Sequence, residues 1–201
     1  MKLFYSTASP YSRKVRLAIH FKKLENEIEQ VICNPFVDDP EKSHKNPLGK
    51  VPSLIFDDGS VIFDSPFICN FLDKLTPTNQ LYPTDMSEWI TVKTAEALGD
   101  GILDAAYNIV MEKRRPKEIV FEKLIEIWTT EIKRSLAYAE KFIPTLSKKV
   151  SQAHIALYST LGYLDFRLPE LEWRSRELKA LSTWFDEFQL EHPFIKETKP
   201  Y

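Results

Sequence analysis

Only two cysteines, Cys33 and Cys69, occur in 201 residues, far apart and outside any C-x-x-C spacing. That excludes a disulfide scaffold and a cysteine-based zinc site, and it fits a reducing compartment. Both thiols are expected in the core. The four histidines, His20, His44, His154 and His192, include no pair at metal-ligand spacing, so no metal is expected. Charge of one sign is also missing: 27 Lys and Arg stand against 29 Asp and Glu. Near-zero net charge gives no electrostatic reason for a nucleic-acid or membrane partner. Met1 to Tyr5 reaches Pro10 without a long apolar run, which argues against a signal peptide or a membrane span and for a cytoplasmic protein. No internal repeat is present. The apolar share, 43%, is ample for a packed core.

The pattern that is present divides the chain in two. Lys2 to Ser6 reads as a strand, and Tyr11, Val15, Ala18 and Ile19 follow at helical spacing. Arg13, Lys14, Arg16 and Lys22 are interleaved with them and read as a solvated face. Glu27 to Cys33 is a second strand, and a helix joining two strands predicts a parallel, right-handed crossover. Val51 to Phe56 and Val61 to Asp64 flank the turn-rich Asp57-Asp58-Gly59-Ser60, as an antiparallel hairpin does. Ser65 is placed to cap a helix with Pro66 at its first position. The order β, α, β, connection, β, β, α is that of a thioredoxin-like domain. Thr76 to Asp85 is polar, carries two prolines and lacks a period, so the linker belongs there. Beyond it, helices are predicted over Glu88 to Arg115, Lys117 to Phe142, Ser151 to Phe166 and Glu177 to Leu190. The expected fold is an α/β thioredoxin-like N-terminal domain (1–75), a linker (76–87) and an all-α C-terminal helical domain (88–201), with a polar, loosely held tail from Lys196 to Tyr201.

Three stretches carry chemistry. Ser9-Pro10-Tyr11-Ser12-Arg13-Lys14 puts a hydroxyl at a helix N-terminus, where unpaired N–H groups and the helix dipole favour an anion. Taken alone, Ser-Pro before a helix is usually only an N-cap followed by proline at the first helical position. Asn46-Pro47-Leu48-Gly49-Lys50-Val51-Pro52-Ser53-Leu54 and Asp64-Ser65-Pro66 follow, with a tight turn and an Asx-type turn as their plain readings. With the late Gly162-Tyr163-Leu164-Asp165-Phe166-Arg167, these resemble the glutathione transferase family over the whole chain, and in particular its bacterial group with an S-P-[YF]-x-R-K motif.

The resemblance implies glutathione as co-substrate, no metal, and a homodimer. It implies a cis Val51-Pro52 bond, with the Val51 backbone offered to the cysteinyl part, and Asp64-Ser65 at the γ-glutamyl end. Aspartate stands at position 64 where many members carry glutamate. Ser9 is then the thiolate-stabilising residue, with Tyr11 in the glutathione site and Tyr5, Tyr11 and Ser12 as rival donors. Serine cannot form the mixed disulfide of the cysteine-bearing members, which favours conjugation to a small hydrophobic electrophile, or a related glutathione-dependent substitution or isomerisation, over thiol-disulfide reduction. The electrophile pocket is expected between the domains at Tyr107 and Met111, each equally suited to a core role, and Asp100 or Asp104 is a candidate to reach the partner subunit's glutathione. Two other readings of the scaffold remain: an interaction protein like the stringent-starvation regulators that bind RNA polymerase, and a glutathione-dependent lyase, dehalogenase or peroxidase.

Ser151 and the Val150/Ile155 pair suit a capping box and hydrophobic staple, but His154 stands where the family has aspartate. A neutral imidazole can still accept the backbone bond there, but a protonated one cannot and opposes the dipole. On that basis His154→Asp is expected to stabilise the fold by roughly 0.5 to 1 kcal/mol.

Overall fold

The computed structural model describes residues 1–199, which form two compact units: Met1–Trp89 with the stretch from Pro193 onward, and Ile90–His192. In the first, β1 (Lys2–Tyr5), β2 (Glu29–Ile32), β3 (Ser53–Ile55) and β4 (Val61–Phe63) form one sheet in the order β2-β1-β3-β4. β1 and β2 are parallel, with Leu3 opposite Gln30, and the other two pairings are antiparallel. The crossover between β1 and β2 is α1 (Pro10–Lys22), and α2 (Ser65–Leu75) follows the hairpin. Leu3, Val15, Ile19, Leu54, Ile68 and Leu72 are fully buried. The expected thioredoxin-like order is therefore present.

The basic residues of α1 are not a solvated face. Arg13 is 7% exposed, Lys14 0% and Lys22 2%. The Lys22 ammonium pairs with Asp73 Oδ1 at 2.8 Å and donates to the carbonyls of Thr76 (3.0 Å) and Thr78 (2.9 Å), so it ties down the chain leaving α2. The irregular stretch there is anchored rather than free, and Leu81 and Tyr82 within it are buried. The segment from Lys196, expected to hang loosely from the helical domain, belongs with the first unit instead. A single 3₁₀ segment over Pro193–Thr198 lays Ile195 and Thr198 into buried positions. Arg16 Nη2 donates to Glu197 O at 2.7 Å and Arg13 Nε to Thr198 Oγ1 at 3.4 Å. Pro200 and Tyr201 lie outside the described residues.

The helices α3 (Met86–Lys113), α4 (Glu122–Phe142), α5 (Gln152–Arg167) and α6 (Lys179–Glu191) follow, with the second unit beginning inside α3. Every residue of α5 from Gln152 to Leu164 is buried. Thr160 Oγ1 donates to Gly99 O at 3.1 Å, and a Cβ on Gly99 would stand 3.0 Å from that oxygen, so glycine permits the close approach of α3 and α5. Asp165, from the motif at the end of α5, accepts Trp173 Nε1 at 2.7 Å and Arg174 Nη2 at 2.8 Å, which fixes the chain beyond the helix.

His154 completes its capping box rather than breaking it. Its Nδ1 accepts the Ser151 backbone N–H at 3.1 Å, and its ring stacks on Phe188 with centroids 5.9 Å apart. Gln152, one residue into the helix, is fully buried with neither amide atom hydrogen-bonded. Gln152→Met keeps the volume and removes that desolvated amide, so it is expected to raise stability by about 1–2 kcal/mol. The urea midpoint reads this directly; one at or below wild type would mean the amide is satisfied by water.

Candidate functional site

Ser9 is the N-cap of α1, half-buried, with Pro10 at the first helical position. Its Oγ accepts the Ser12 backbone N–H at 3.2 Å. A hydroxyl accepts twice and donates once, so capping leaves the Ser9 proton available to an anion at the helix start. The cap and the thiolate donor are compatible roles. Among the rivals, Ser12 is fully buried, and Tyr5 is a core residue beneath the Arg16 guanidinium, 4.4 Å from its ring centre. Tyr11 is half-buried on α1.

The Val51-Pro52 bond is cis, and both residues are buried. Asn46 shapes the approach to it: Oδ1 accepts Leu48 N–H at 3.0 Å and Nδ2 donates to Lys50 O at 2.7 Å. Gly49 has φ +64°, which a side chain would strain. Ser53 Oγ donates to His44 O at 2.6 Å and pins the other end of the loop.

At α2 the cap is shifted by one residue from expectation. Asp64 is the N-cap, at φ 75°, and Ser65 is the first helical residue. The consequence is that Ser65 Oγ makes no cap bond. It is buried, 2% exposed as a residue, and without a hydrogen-bond partner, while Asp64 is exposed. An orphaned hydroxyl in the first turn of a helix, beside free backbone N–H groups, is arranged to receive an anion.

In the second unit Asp100, Asp104, Tyr107 and Met111 fall on one row of α3, at spacings of four, three and four residues. Asp104 and Tyr107 are exposed; Asp100 and Met111 are half-buried. Arg114 continues the row just past the helix, its Nη1 3.7 Å from Met111 Sδ. Tyr163 of α5 is 5% exposed, and burial pushes its hydroxyl above the ordinary value, while the charges of Arg167 and Arg114 pull it down. Sequence reading missed this Tyr163, Arg114 and Arg167 grouping; the motif ending at Arg167 was its one visible trace.

The two cysteines are buried, and burial, followed by the nearby Asp38 charge, pushes the Cys33 thiol up to about 11. It is a thiol, not a nucleophilic thiolate, at neutral pH. Among the described residues no cluster of three or more His, Cys, Asp or Glu is placed to hold a metal ion, and no helix is long and apolar enough to cross a membrane.

A four-stranded thioredoxin-like unit with a cis-proline loop, followed by a helical unit, defines the class. Residues 8–75 match the glutathione S-transferase N-terminal domain and residues 114–187 the corresponding C-terminal domain. The chain is 34% identical over 176 residues to the GST-like protein YibF of Escherichia coli K12, covering 86% of each. The fold superposes with a TM-score of 0.93 and 35% identity on a glutathione transferase family member from Pseudomonas fluorescens Pf-5 with bound glutathione, covering 100% of this chain and 98% of that one. A structure from the same organism with bound S-(propanoic acid)-glutathione gives 0.90 and 34%, covering 100% of both chains. This chain belongs to the glutathione S-transferase family.

Proposed function

We propose that this protein is a cytoplasmic glutathione transferase that joins the glutathione thiolate to a small electrophile, with Ser9 as the thiolate-stabilising residue. The observation that carries this reading is the buried, unpartnered Ser65 hydroxyl in the first turn of α2. It and the helix N-terminus receive the γ-glutamyl carboxylate, and the exposed Asp64 meets the ammonium group. The Val51 backbone, presented at the cis bond, pairs with the cysteinyl amide. Tyr11 adds to the glutathione surface, and the sulfur comes to Ser9. The electrophile is held against Tyr107 and Met111, and in a homodimer Asp100 or Asp104 approaches the partner's glutathione.

Energetics make one serine sufficient. A free thiol is only about 3% ionised at pH 7, and lowering its pKa by about two units takes roughly 2.7 kcal/mol. One hydrogen bond to a charged acceptor supplies about 1.5–3 kcal/mol, to which the helix terminus adds. The glutathione thioether bound by the Pseudomonas family member is the kind of product such chemistry yields, and serine at position 9 favours substitution over disulfide exchange.

Calorimetric titration of glutathione, with the thiolate followed by its ultraviolet absorbance, tests this. Ser65→Ala is expected to weaken binding about tenfold. Ser9→Ala is expected to lose most of the thiolate signal with a smaller loss of affinity. A folded wild-type protein that ignores millimolar glutathione would overturn the proposal.

A further inference from the structure

α3 and α5 run in the same direction and end side by side. Thr160 bonds Gly99 O near their middles, and Lys113, at the end of α3, pairs with Glu170 just past the end of α5. Between those two ties stand Tyr107 and Met111 on α3 and Tyr163 and Arg167 on α5, with Arg114 directly after Lys113. The Arg114 fork touches Met111, and the Arg167 guanidinium lies 4.1 Å from the Phe166 ring centre.

Neighbouring cations are neutralised by carboxylates: Lys113 by Glu170, Arg115 by Glu112, and Arg174 by Asp165 and Asp186. Among the described residues, neither Arg114 nor Arg167 has a carboxylate partner. Two unpaired planar forks therefore border the row that carries Tyr107 and Met111, and such forks suit a carboxylate in bidentate geometry.

We propose that Arg114 and Arg167 bind an anionic group of the second substrate, so that the electrophile is a small carboxylate-bearing molecule of the haloalkanoate type. This rests on the reading that the electrophile is held against Tyr107 and Met111. In the reaction the glutathione sulfur forms a bond to the carbon bearing the halogen, the carbon–halogen bond breaks with its electron pair, and halide leaves. The carboxylate stays ionised throughout, and no oxidant or reductant is needed. Holding that charge on two arginines also removes the repulsion between an anionic substrate and an incoming thiolate.

The competing account is that both arginines only answer the negative ends of two helix dipoles. Calorimetry separates the two, using glutathione, S-carboxymethylglutathione and S-(3-carboxypropyl)glutathione with S-methylglutathione and S-butylglutathione as uncharged counterparts. At least one carboxylated thioether is expected to bind about tenfold more tightly than its counterpart, with a preference that shrinks as salt rises. The preference should collapse towards unity in Arg114→Gln and in Arg167→Gln. Arg114 is exposed, so its variant decides the matter if Arg167→Gln does not fold. Glutathione binding with no carboxylate preference at either length, or a preference that survives both substitutions, would overturn the inference. Failure of glutathione itself to bind would instead remove the reading of the site on which it rests.

Discussion

Lys22→Met is expected to destabilise the protein by about 3–5 kcal/mol, the range seen when one member of a buried ion pair is removed. The ammonium sits in a fully buried side chain at the end of α1, 2.8 Å from Asp73 Oδ1, with the carbonyls of Thr76 and Thr78 around it. Asp73 is committed elsewhere too, since its two oxygens accept the backbone N–H groups of Leu81 (2.7 Å) and Tyr82 (3.1 Å). Removing the lysine leaves a desolvated carboxylate and carbonyls without their donor, all in one place. Urea unfolding of Lys22→Met, Asp73→Asn and the double variant measures the coupling. The double variant should cost clearly less than the sum of the single ones. A loss under about 1 kcal/mol for Lys22→Met would mean that water replaces the ammonium at little cost.

The second large effect is a loss of stability in acid traced to His154. Burial, well ahead of its other influences, lowers its pKa from 6.5 to about 4; a backbone hydrogen bond with Ser147 acts the other way and nearby His192 adds to the lowering. Well above pH 6.5 the imidazole is neutral in folded and unfolded chains, and its full contribution is present. Between pH 6.5 and 4 the unfolded chain takes a proton that the folded one refuses, so stability falls as pH falls, by about 3 kcal/mol from this group. Glutamine at this position still serves a capping box but does not titrate. His154→Gln is therefore expected to be less stable than wild type at pH 7.5, having lost its stack on Phe188, with the gap closing towards pH 4. A gap that stays constant across that range would assign the acid sensitivity to other groups. The same geometry reverses the expectation for His154→Asp. A carboxylate there would exchange a stacked, 5% exposed aromatic ring for a buried charge, so its melting temperature should fall.

Much of the fold was legible because it is written locally. Helical spacing after β1, a turn-rich insert between two short strands and prolines at helix ends each declare an element within a dozen residues. The buried basic residues of α1 were not, because periodicity counts every lysine as outward-facing. Whether an ammonium can be buried depends on carbonyls converging on it, and those that surround Lys22 come from more than fifty positions away. The clasp of Arg13 on Thr198 spans 185 positions and leaves no local mark. At the site, motif and resemblance brought forward Ser9, the Val51-Pro52 pair and Asp64-Ser65. What they missed was a shift of one residue, which makes Asp64 the cap and leaves the Ser65 hydroxyl unused by the fold. The grouping of Arg114 with Arg167 was not legible, because cations at helix C-termini look like ordinary complements to a dipole.

The clasp over α1 also has a consequence in time. The sheet, α1 and α2 are complete in the nascent chain at Leu75, yet Ile195 and Thr198, which pack in that unit and whose segment bonds Arg13 and Arg16, come some 120 residues later. At cellular synthesis rates that is a delay on the order of ten seconds. During it the helix that begins at Ser9 waits on the ribosome with one flank uncovered, open to chaperones or to a neighbouring nascent chain. Cleavage after His192 followed by loss of the released segment would recreate that state in the finished protein, with α1 rather than the helices that precede the cut losing its contacts.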